Sequence, residues 1–336
     1  MISARPDLRR ATLLAPVLAA LLASGLASVL AGPALAARPK PPPPLPPLIL
    51  PANAPTLRAE IAGQPVTLTV DLGGDPFVVL SPAAAARLDL AAPQRPGGVP
   101  ADRRMLRVAV GQAAINLPFS REVMFIDGRP LVAPVLTPAV MPSGAVAGSD
   151  GIIGLPLLPH DRVTLQFRPA TTADRPRRLA ARTSGGSSSL AFAWDLPGQP
   201  EIEVELHHLR PDSVASVAAA SSLAGAGDGR LEGPVRRVEI GFGVARPVRV
   251  LVLAHPVAVA GLPLRRVDVR LFDWAGRSEL PPDADGEDGL TVTGKRGRQR
   301  GWPILKLGRD VLAGCASLSW QREAGGGSFE LRCPSS

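Results

Sequence analysis

The stretch VTLTVDLGGDPFVVLSPAAAARLDL, residues 66 to 90, runs as an alternating apolar segment that stops at an aspartate followed by Leu-Gly-Gly. Alternation of Val66, Leu68 and Val70 predicts a half-buried strand, and the two glycines predict a tight turn directly after it. Asp71 then sits at a strand end, fixed by its turn, where a carboxylate can accept or release a proton. It is the candidate catalytic residue, and Gly73 is the residue that shapes its turn. Acid–base work on a water needs such a carboxylate together with a second group that manages a proton. Without that second group, the tetrapeptide reads as an ordinary strand-ending turn, since Asp and Gly are common turn formers.

Other residue types with chemical potential are sparse. The chain has four histidines, His160, His207, His208 and His255. Adjacent His207 and His208 on a strand face opposite sides, a poor geometry for one metal, so surface or loop positions are expected and no metal site is predicted. The Gly-x-Gly of EIGFGVA, from Glu239, lacks the third glycine and following helix of a dinucleotide site. SGAVAGSDG, from Ser143, is rich in Gly and Ser but has no nucleophile elbow. No cofactor is expected. Cys315 and Cys333 flank ASLSWQREAGGGSFELR, which reads as two strands joined by a Gly-rich turn. A disulfide across that hairpin is predicted, acting as a staple.

The 336 residues are 46% hydrophobic but only 4% aromatic, with no Tyr. Such a core must be built from Val, Leu, Ile and Ala, of which the β-branched members favour strands. The net charge of +8 is mostly scattered Arg, apart from Lys295, Arg296, Arg298 and Arg300. That run has no interleaved aromatics, so nucleic acid is not an expected partner. Arg5, Arg9 and Arg10 precede an uncharged run from Ala11 to Ala37 that contains Ala34-Leu35-Ala36. This is the layout of a signal peptide over residues 1 to 36, which places the protein in the periplasm or outside the cell. Left uncleaved, the run is long enough to span a membrane and would be the only attachment to one.

Residues 37 to 54 form a Pro-rich linker, stiff and extended across RPKPPPPLPPLILP. A second break, RTSGGSSS at 182 to 189, divides the remainder into parts of 55 to 181 and 193 to 336, joined by residues 182 to 192. The parts share four landmarks in one order. GQPVTLTVD from Gly63 matches GQPEIEVEL from Gly198, and SPAAAARL from Ser81 matches SVAAASSL from Ser216. RVAVG ending at Gly111 matches RVEIG ending at Gly241, and GIIGLPLLPHDRVTLQF from Gly151 matches ILKLGRDVLAGCASLSW from Ile304. An internal duplication is predicted. The second copy carries an extra charged loop, Asp273 to Gly301. Within it EDGLTVTGKR is similar to a segment near the N-terminus of some TonB-dependent receptors, one suited to adding a strand to a partner's sheet. The fold class expected is mainly β, two related barrel-like lobes with a few short helices.

A hydrophobic strand ending in Asp-x-Gly, then VVLSPAAAARL, then Gly-Ile-Ile-Gly before RVTLQF, resembles the retropepsin-like and pepsin-like aspartic proteases. LGRDVL in the second half looks like the corresponding late element. The resemblance implies the aspartic protease fold and a polypeptide substrate in the cleft between lobes. It also implies two aspartates sharing one proton, because like charges so close cannot both ionise. In such a pair one carboxylate activates a water while the other polarises the scissile carbonyl. The chain departs from the pattern at two places. Leu72 stands where Thr or Ser would brace the two catalytic loops. In the second half, aligning Ile202, Val204 and Leu206 on Val66, Leu68 and Val70 sets His207 opposite Asp71. A shifted alignment offers Glu205, with its carboxylate among the core-facing set.

Three readings stand at this point. In the first, the chain is a degenerate protease whose fold persists, whose chemistry is lost and whose cleft binds peptide or nothing. Alternatively, Asp71 still works with Asp71 of a second copy in a homodimer, or with Glu205 or His207. In the third, Asp71 only ends a strand in an exported β protein of unrelated function; the other functional class is a non-catalytic envelope binding or interaction protein with the same fold.

Overall fold

A computed structural model describes residues 43–90, 104–110, 113–138, 144–184, 189–271, 303–323 and 326–334. The polypeptide from Pro44 onward is one compact unit, and its described residues are mainly β. The signal-peptide stretch, the charged loop with its receptor-like segment, and Gly111 lie outside the described residues.

In the first half, β1 (Leu48–Pro51) leads to β2 (Thr56–Ile61), β3 (Gln64–Asp71), β4 (Val78–Leu80) and helix α1 (Pro82–Arg87). The chain continues through β5 (Arg104–Val110), β6 (Ala113–Ile126), β7 (Arg129–Leu136), β8 (Gly151–Gly154), β9 (Arg162–Gln166) and β10 (Asp174–Ala180). The second half begins with β11 (Arg182–Thr183), β12 (Leu190–Trp194), β13 (Ile202–Leu206), β14 (Val214–Ala215) and helix α2 (Val217–Gly227). It goes on through β15 (Gly229–Gly241), β16 (Val244–Val259), β17 (Leu262–Arg270), β18 (Ile304–Leu307) and helix α3 (Arg309–Leu312). Strands β19 (Ser317–Gln321) and β20 (Ser328–Pro334) close the chain.

The two halves repeat one topology. The first-half sheet has the order β2-β3-β8-β4-β7-β6-β5, and the second contains β12-β13-β18-β14-β17-β16-β15. Pairing directions repeat as well. β3–β8 and β13–β18 are parallel, β4–β8 and β14–β18 antiparallel, β4–β7 and β14–β17 parallel. In the first half β2 also pairs with β6, which closes a six-stranded barrel. Both helices after the matched strands start at a serine, whose hydroxyl accepts a backbone N–H: Ala84 to Ser81 at 3.1 Å and Ala219 to Ser216 at 3.3 Å. Such a cap satisfies a donor that the first helical turn leaves unpaired.

A third sheet, β1-β9-β19-β20-β10, takes strands from both halves. Its strand β1 lies at the end of the Pro-rich stretch, where Leu48-Ile49-Leu50 pairs in parallel with Val163, Thr164 and Leu165. The hairpins turn where backbone φ is positive at two successive residues, as at Asp127–Gly128 and Phe242–Gly243. That geometry suits the right-handed twist of paired strands. One apolar core includes Leu68, Val70, Ile153, Val204, Leu206, Leu305, Leu307 and Trp320. Cys315 and Cys333 form the predicted disulfide, joining the turn before β19 to β20. No helix among the described residues is long and apolar enough to cross a membrane.

Candidate functional site

Asp71 is the last residue of β3, paired with Gly154 of β8. Its Oδ1 accepts the Gly73 N–H at 3.0 Å, and its carbonyl accepts the Gly74 N–H at 3.2 Å. The turn is packed on β8 so closely that a Cβ at Gly154 would lie 1.8 Å from the Asp75 carbonyl oxygen. Asp71 is partly exposed and Leu72 is fully buried.

The same register in the second half identifies the residue equivalent to Asp71. Glu205 pairs with Lys306 and Leu206 with Leu307 on β18, and the His207 N–H donates to the Leu307 carbonyl at 2.8 Å. The following turn closes as the first does, with the Arg210 N–H donating to the His207 carbonyl at 3.0 Å. His207 therefore occupies the Asp71 position and His208 the Leu72 position. Glu205 and Lys306 replace Thr69 and Ile152.

The two turns meet. A Cβ placed on Gly73 would lie 2.7 Å from the imidazole of His207, so the ring rests against the glycine of the Asp71 turn. His207 Nε2 lies 2.8 Å from Glu205 Oε2, and Lys306 Nζ lies 3.0 Å from the same oxygen. Glu205 is buried, but not with the core-facing set: alternate residues of a strand share a face, and its carboxylate reaches His207, two residues on. Burial by itself would raise the Glu205 carboxyl, yet Lys306 and His207 together hold it well below the usual carboxylate range. Burial, assisted by the Lys306 charge, lowers His207 below its ordinary value, against the opposing pull of Glu205 and Asp71. At the contact with Glu205 the Nε2 of His207 must donate, because an ionised carboxylate can only accept.

His208 is buried among these groups, with neither ring nitrogen hydrogen-bonded among the described residues. Burial lowers it to about 4, with Asp71 opposing and the His207 and Arg309 charges assisting. The expectation of surface or loop histidines is met, by His255 at the surface and by His160, His207 and His208 in loops, but the loop positions are not exposed. His160 is also buried, against Asp127 at 3.0 Å, and His207 is nearly so. At His207 this burial is hidden from the sequence, because the Asp71 turn of the other half covers the ring.

A second contact between the halves lies at the tip of the β15–β16 hairpin. The Phe242 ring stands 6.0 Å from that of Phe77, which follows the Asp71 turn. Arg210 Nη2 donates to the Glu239 carbonyl of that hairpin at 2.7 Å. Lys306 and Arg210 were not singled out from the sequence. Lys306 does carry a signal, as a lone cation in the apolar run ILKL beside a strand holding Glu203 and Glu205.

The junction thus presents the Asp71 carboxylate and the His207 imidazole, while the β13 carboxylate nearby, Glu205, is engaged by His207 and Lys306. Among the described residues no group of three or more His, Cys, Asp or Glu is placed to hold a metal ion. No family model matches the chain, and no curated protein matches it either.

Proposed function

We propose that this is an exported, aspartic-protease-like protein that binds a polypeptide in the cleft between its halves and cleaves it poorly or not at all. The observation that carries the reading is the register placing His207, not a carboxylate, at the position equivalent to Asp71. Support for the bilobal protease-like fold comes from the twice-repeated strand order, the Asp71 turn seated on Gly154, and a shared third sheet. A proton-sharing pair exists because two adjacent carboxylates cannot both ionise. An imidazole in place of the second carboxylate is under no such constraint, so the proton shared between two carboxylates, which polarises the scissile carbonyl, is missing. Completing the pair with Asp71 of a second copy is disfavoured, since His207 of the same chain already fills the place beside Gly73.

The disulfide supports an oxidising compartment, and the periplasm or the cell exterior is the proposed location. A pooled extended-peptide library tests the function. Fluorescence polarisation should report binding that Asp71→Asn leaves intact to within about threefold, as expected of a charge at the edge of a ligand. Total absence of binding to every pool would remove the reading.

A further inference from the structure

We propose that Arg210 makes the cleft selective for acidic peptides by pairing with a carboxylate of the bound chain. The inference rests on the reading of the cleft as a peptide site. Arg210 follows the second-half turn at the place that Gly74 occupies in the first, so a long cation replaces a residue with no side chain. Its side chain is half-buried and, among the described residues, has one hydrogen-bond acceptor, the Glu239 carbonyl. Its Nε is buried without an acceptor among those residues. No carboxylate lies within ion-pairing distance of Arg210 among the described residues. The contrast with Arg236 is direct: that guanidinium holds Asp268 by two contacts of 2.5 and 2.6 Å.

An unpaired, half-buried guanidinium is costly unless a partner arrives from elsewhere. Space for one exists. Arg210 lines a cavity of about 270 Å³ at the junction of the halves, between Gly144 and the hairpin residues Arg236, Arg237 and Glu239. With Asp212 also in the wall, its ionisable groups are three arginines and two carboxylates. Arg236 is already held by Asp268, so the attraction for an acidic ligand rests on Arg210 itself. A guanidinium presents a planar fork, which matches a carboxylate better than it matches an amide. Burial also lowers Arg210 from its ordinary value, opposed by Glu239, Asp71, Asp268 and Asp212, as expected of a cation short of a direct partner.

The test uses the whole mature protein and two pooled octapeptide libraries, one rich in Asp and Glu and the other with Asn and Gln in their place. Acidic pools should bind at least tenfold more tightly than amide pools, and added salt should weaken the acidic ones alone. Arg210→Met should abolish the preference by weakening acidic peptides about tenfold while amide peptides are unchanged. Arg210→Lys, which keeps the charge, should retain part of it, and thermal melting should find both variants folded. Equal affinity for the two libraries in the unaltered protein overturns the inference while leaving the cleft a peptide site. So does an Arg210→Met variant that weakens both libraries equally, because Arg210 would then only latch the hairpin. Failure of both libraries to bind removes the peptide site itself and this inference with it.

Discussion

His208 is the residue whose surroundings make the sharpest energetic statement. It occupies the Leu72 position, buried and with both nitrogens unbonded among the described residues. Its folded value of about 4 lies below the ordinary 6.5. A depressed histidine binds more protons when unfolded, so its stabilising contribution is complete above pH 6.5 and is lost as pH falls toward 4. The loss amounts to about 3 kcal/mol across that window. His208→Leu should flatten the stability profile between pH 6.5 and 4 by about that amount, without lowering stability at pH 7. Urea midpoints at several pH values check this, and an unchanged profile would show that His208 does not titrate as described. His207 offers a second check, because the charges around it have opposing signs. Lys306 lowers it and Glu205 raises it. Side-chain NMR should therefore find the His207 titration moved up in Lys306→Met and down in Glu205→Gln. Equal movement in one direction would mean that the Lys306–Glu205–His207 chain does not form.

At the scale of elements, the site depends on two short strands, β8 and β18, passing beneath two turns. Gly154 and Gly308 occupy matching places there. A Cβ at Gly154 would meet the Asp75 carbonyl at 1.8 Å, and one at Gly308 would meet the Asp212 carbonyl carbon at 2.5 Å. Both obstacles are backbone, which cannot swing aside. Gly154→Ala and Gly308→Ala should each destabilise by about 2–3 kcal/mol, the range of a strained, overpacked site. Gly63→Ala, at an open hairpin turn with positive φ, should cost about 1 kcal/mol through backbone strain alone. Thermal denaturation of the three variants separates the two mechanisms. Similar small effects at all three positions would mean that the turns are not seated on β8 and β18.

At the scale of the whole molecule, the parts legible in the sequence are those encoded locally. Alternation at Val66, Leu68 and Val70, the Asp-Leu-Gly-Gly turn and the alanine-rich helices are short-range signals, and the alternation and the helix recur in the second half. Even the opposition of His207 to Asp71 could be read from alternation, since a strand's period of two fixes which residues match. The third sheet could not. Its pairing of Ser319 with Thr164 joins residues more than 150 positions apart, through short strands that carry no mark of their partners. Neither the burial of His208 nor the linkage of Lys306 to Glu205 was readable, because both arise where separate segments meet.

The claim on which the account turns is that the Asp71–His207 pair binds peptide without a shared-proton hydrolysis. It is tested most directly by incubating the mature protein with a peptide library between pH 3 and 8 and measuring cleavage by mass spectrometry. The account predicts intact peptides throughout, with no rate above that of an Asp71→Asn control. Cleavage peaking in acid and abolished by Asp71→Asn would contradict it, and would mean that the imidazole at position 207 does the work of the missing carboxylate.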